Sequence, residues 1–162
     1  MHWSTLLVLS ASVAAPQLTV GPIQFDSYTK AYHAAADVHK PMLVIINPGT
    51  EEVSSTEPIT LANLQADAAV GPLLDKYVVA IVDAGTEHGR EVHKRFQSPS
   101  LPFAAVIDER QEKQLYRSDA PCCVADLQCV VEEYSEGTPV QRVTLKQPPA
   151  DCPLCRKRWA NF

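Results

Sequence analysis

The chain has 162 residues, 46% of them hydrophobic, which is enough to bury one real core and suits one domain better than two. Its formal net charge of −5 and pI near 5.5 argue against phosphate-backbone binding as a main role, because a nucleic-acid surface needs a basic excess. The only basic run, Arg156 to Arg158, reads as a solvated tail.

Residues 1–15, MHWSTLLVLSASVAA, hold an apolar stretch from Thr5 to Ala15 that ends in small residues, in the manner of a signal peptide. Cleavage after Ala14 satisfies the small-x-small requirement, although no Lys or Arg precedes the stretch and Pro16 follows it closely. At about 11 residues the run is too short to cross a bilayer. The reading is an exported protein, periplasmic or extracellular, with no membrane role in its mature form; a mobile terminus on a cytoplasmic protein is the alternative.

Residues 25–41, FDSYTKAYHAAADVHKP, place Tyr28, Ala31, Tyr32, Ala35 and Ala36 on one helical face. Asp26 or Ser27 can cap this helix, and Lys40-Pro41 ends it. The run Met42 to Ile46 follows as a buried strand and stops at Asn-Pro-Gly. Residues 56–76 are expected to be helical with a break at Gly71-Pro72. Residues 77–85, YVVAIVDAG, form a second strand, covered on both faces. A short helix spans residues 87–97, with Val92 and Phe96 on one side. Residues 102–109 and 114–118 make a hairpin. Residues 120–137 then read as a closing helix, with Pro121 in its first turn, Cys123, Leu127, Val130, Val131 and Tyr134 on its apolar face, and Gly137 at its end. Beyond it lies a proline-punctuated tail, 138–162, with a short edge strand at Val140 to Leu145.

This αβαβαββα order is that of the thioredoxin fold, and two local patterns support it. SYTKAYHAAADVHKPMLVII resembles the first helix and central strand of thioredoxin-like proteins. FQSPSLPFAAVID resembles the family segment in which a hydrophobic residue and a cis-proline open the next strand, here Leu101 and Pro102. The resemblance covers roughly residues 22–137 and implies a three-layer α/β fold, a central mixed sheet with helices on both faces.

Redox-active members of the family end the central strand in Trp-Cys-x-x-Cys, where the helix start stabilises a thiolate. The matching positions here are Gly49, Thr50 and Val53, and the buried acid of many members corresponds to Val44. A threonine hydroxyl is too weak an acid to exchange disulfides, and a valine cannot resolve one. No cysteine occurs before residue 122. The resemblance still implies that the main chain at Leu101-Pro102, with Thr50 beside it, can receive an extended polypeptide.

The five cysteines, at 122, 123, 129, 152 and 155, are an odd number and all lie in the last quarter of the chain. Cys122 and Cys123 are expected in the first turn of the closing helix, near the cis-proline, where a helix start would depress their pKa values. Small core and surface residues are the plainer account. Cys152-Pro-Leu-Cys155 reads first as a local disulfide or incidental pair, second as a tail dithiol, and third as half a zinc site completed by Cys122, Cys123 or Cys129. His33, His39, His88 and His93 show no ligand spacing and read as solvated helix residues, and Glu51, Glu52 and Glu57 suit a helix start. The expectation is a non-catalytic binding or accessory domain without cofactor or metal. The alternative is an atypical thiol–disulfide oxidoreductase using Cys152 and Cys155 or Cys122 and Cys123.

Overall fold

The computed structural model describes residues 21–49, 56–98 and 100–139. The expectations for Thr5 to Ala15, Thr50, Glu51, Glu52, Val53, Val140 to Leu145, Cys152 and Cys155 lie outside the described residues.

A five-stranded mixed sheet runs through the middle in the order β1-β3-β2-β4-β5. The central strand β2 (Met42–Asn47) pairs in parallel with β3 (Val78–Asp83) and antiparallel with β4 (Phe103–Ile107), which forms a hairpin with β5 (Gln114–Arg117). β2 is buried along its whole length, as an uninterrupted apolar run requires when both faces of a sheet are covered. Alternate side chains of β2 enter two cores. Leu43 and Ile45 pack with Ile59, Leu64, Tyr77 and Leu127, whereas Met42, Val44 and Ile46 pack with Ala31, Ala35 and Val92. The result is the three-layer α/β architecture expected from the sequence.

One strand escaped the sequence reading. β1 (Ile23–Phe25) pairs in parallel with β3 at the sheet edge, and three residues are too few to show a periodicity of their own. α1 (Tyr28–Val38) buries Ala31 and Ala35, while Ala36, expected on the same face, is exposed. Its first turn is closed from elsewhere in the chain. The Tyr28 amide donates to His88 Nε2 at 3.2 Å, and the Ser27 hydroxyl lies 3.5 Å from the same nitrogen.

The expected 56–76 helix is two pieces, α2 (Leu61–Ala66) and a 3-10 segment, Gly71–Lys76. The break falls at Asp67, ahead of Gly71-Pro72. Asp67 Oδ1 accepts from the Ala69 and Val70 amides at 2.9 and 3.0 Å, so a side-chain-closed turn replaces the next helical turn. α3 (Glu87–Phe96) is capped by Thr86, whose hydroxyl accepts from the Gly89 amide at 2.9 Å.

α4 (Val124–Glu133) starts later than expected. Pro121 and Cys122 precede it, Cys123 is its N-cap, and it ends at Tyr134 ahead of Gly137. Burial is also the reverse of the sequence reading, since Cys122 enters the core and Cys123 is exposed. The Cys122 amide is held by the Pro102 carbonyl, in the loop that opens β4, rather than by the helix.

Candidate functional site

The end of β2 is anchored by a polar contact inside the core. Asn47, buried at the strand's last position, donates from Nδ2 to the Ile59 carbonyl at 2.8 Å and accepts the Ile59 amide on Oδ1 at 2.9 Å. The two bonds pin residue 59 to the strand end and so fix both sides of the intervening segment. Beyond Asn47 the backbone at Gly49 passes close to Gly85, and a Cβ on Gly49 would lie 2.8 Å from the Gly85 Cα. The sequence reading treated Asn47 as part of a turn. A lone buried amide ending an apolar strand was the available signal, because such a group must find partners.

The loop that opens β4 lies beside this anchor, because Phe103 pairs with Ile46. The Leu101–Pro102 peptide bond is cis. Pro102 is buried and Leu101 is partly exposed. The Leu101 amide and carbonyl stand outside the strand ladder and have no hydrogen-bond partner among the described residues. Ser100 Oγ next to them is buried without a partner among the described residues. Free main-chain groups at the edge of a sheet can take up an extended chain as an added strand.

The segment before α4 is tied to the same loop. Cys122 donates its amide to the Pro102 carbonyl at 2.8 Å, and Ser118 bonds Ala104 on both sides, its amide to the Ala104 carbonyl and its Oγ accepting the Ala104 amide. The proximity of Cys122 to Pro102 expected from topology is therefore present, but the depressed thiol pKa is not. The thiol is 2% exposed. Burial first, then the charges of Asp126 and Cys123, push its pKa up to about 12. It is a small core group packed with Leu127 and Val130, poor as a nucleophile.

Cys123 sits exposed at the N-cap, and its amide donates to Asp126 Oδ2 at 2.8 Å. Cys129 is exposed on α4. No disulfide and no cluster of His, Cys, Asp and Glu able to hold a metal occur among the described residues. Val44, at the position of the family's buried acid, is fully buried. The histidines depart from the solvated reading at two places: His88 closes α1, and His93 Nε2 lies 3.1 Å from the Ser98 carbonyl.

No family model matches the chain, and no curated protein does. Solved structures do resemble it. A thioredoxin from Thermus thermophilus aligns at 17% identity and a TM-score of 0.51, covering 70% of this chain and 86% of that one. Chloroplastic thioredoxin z aligns at 14% identity and a TM-score of 0.49, covering 75% and 100%. A disulphide isomerase from Xylella fastidiosa Temecula1 aligns at 19% identity and a TM-score of 0.43, covering 67% and 80%. With its strand order, its hairpin and its closing helix, this chain has the thioredoxin fold.

Proposed function

We propose that the domain is a binding or accessory module that receives an extended polypeptide along Leu101, with no dithiol at the usual position of the fold. The observation that carries this reading is the main chain of Leu101, without a hydrogen-bond partner among the described residues, on a loop held through the Phe103 and Ile46 pairing and through Cys122. A rigid edge with free donors and acceptors loses little entropy on binding. By the resemblance, Thr50 is the residue in place of the first family cysteine. The buried Cys122 thiol weighs against redox work by the Cys122 and Cys123 pair. The apolar segment from Thr5 to Ala15 supports an exported location for the module.

The reading is tested by an insulin disulfide-reduction assay on the full chain and on its C152S/C155S variant. Neither is expected to reduce insulin above the reductant background. Turnover by the parent chain that disappears in the variant would overturn the binding-module reading in favour of a tail dithiol.

A further inference from the structure

A cleft of about 270 Å³ opens on the α1 and α3 side of the sheet. Its lining includes Ile107, at the end of β4 opposite Phe103, which four strand steps place roughly 13 Å away. The volume lies below the usual span for drug-sized ligands, so the occupant must be small.

The floor is apolar. Val92 and Ile107 are buried there, and Phe96 meets Tyr28 edge to face with ring centroids 5.6 Å apart. The rim is polar, with Arg95 from α3, Lys113 from the β4–β5 turn, and Glu112 beside it. Neither the Arg95 nor the Lys113 side chain has an ion-pair or hydrogen-bond partner among the described residues. Two cations against one carboxylate leave this rim net positive in a chain whose overall charge is −5.

A second observation comes from Gln111, also in the lining and only 8% exposed. Its Nε2 donates to the Asp108 carbonyl at 2.9 Å and the Lys40 carbonyl at 3.3 Å. Those bonds fix the amide, because a flip would turn Oε1 toward two carbonyls. Oε1 has no donor among the described residues and is closed to solvent.

We propose that this cleft binds a small aromatic carboxylate. The ring rests on Val92, Phe96 and Ile107, and the carboxylate lies between Arg95 and Lys113. Glu112 opposes the carboxylate and selects against ligands of higher negative charge. The proposal is independent of polypeptide binding at Leu101.

The test titrates the full-length protein with 4-hydroxyphenylacetate and follows backbone amide shifts. Saturable shifts are expected at Phe96 and at Gln111 to Gln114. Loss of a charge-assisted contact should weaken binding by roughly tenfold or more in an R95Q/K113Q variant, and equally for the uncharged 4-hydroxyphenylacetamide. Glu112→Gln should tighten binding about twofold to threefold. All three substituted residues are exposed, and circular dichroism confirms that the variants fold. No saturable shift, or equal affinity in R95Q/K113Q, would overturn the proposal.

Discussion

The Cys122 amide donates to the Pro102 carbonyl at 2.8 Å, so the segment that leads into α4 is fastened to the loop that opens β4. The same bond leaves the Cys122 side chain facing the core, with Leu127 and Val131, while Cys123 faces solvent. Two adjacent cysteines therefore have opposite chemical character.

That contrast is measurable. Iodoacetamide should label Cys123 and Cys129 readily in the native protein and Cys122 only on unfolding, with a rate at least about 100-fold lower, since thiolate fraction and access both fall on burial. Timed alkylation followed by peptide mass spectrometry reads the three sites separately. Fast native labelling of Cys122 would show that the thiol is accessible.

The raised pKa of Cys122 also predicts how stability changes in alkali. Burial lifts it from an ordinary 9.0 to about 12, so the folded state favours the neutral thiol. Its contribution to stability is complete below pH 9 and is lost as pH climbs from there toward 12, where the unfolded chain sheds the proton first. Tyr77, buried with its hydroxyl on the Val131 carbonyl at 2.9 Å, has its pKa raised as well and acts in the same direction. The urea midpoint should therefore stay level up to about pH 9 and fall beyond it. Cys122→Ala should reduce that alkaline slope.

Asn47 carries a specific share of the fold. Asn47→Ala would leave the Ile59 amide and carbonyl unpaired in the core, at a cost of about 2–4 kcal/mol. Asn47→Asp keeps an acceptor for the Ile59 amide but sets a carboxylate against the Ile59 carbonyl, so it should rescue little. Urea unfolding of the two variants beside the parent checks both expectations.

Gly89 tests the packing of α3 on β3. A Cβ at this position would lie 1.8 Å from the Asp83 carbonyl oxygen, a backbone atom that cannot rotate aside. Gly89→Ala should cost about 3 kcal/mol or more. Gly21, whose Cβ would meet nothing within 4 Å, should accept alanine without measurable change.

The parts of the fold written in the sequence are those with a strong local pattern. The continuous apolar runs of β2 and β3 and the helical spacing of Ala31 and Ala35 in α1 each stand out locally. β1 does not, because its strand character comes from pairing with β3. The 56–76 helix was misread because Asp67 is neutral in a helical pattern until its carboxylate turns back on Ala69 and Val70. At the candidate site, Leu101 and Pro102 were legible from a local pattern, whereas the inward turn of Cys122 depends on a hydrogen bond across 20 residues of chain. Gln111 and His88 were invisible for the same reason, their partners Lys40 and Tyr28 being 71 and 60 residues distant.

The most direct measurement is a backbone-amide titration of the full chain with reduced, carboxymethylated insulin B chain, an extended polypeptide with no thiol to exchange. The account predicts saturable shifts centred on Leu101, Phe103 and Cys122, and binding weakened roughly tenfold or more by Leu101→Asp, which sets a charge at the pairing edge. Binding that leaves the Leu101, Phe103 and Cys122 amides unmoved, or that persists unchanged in Leu101→Asp, would contradict it.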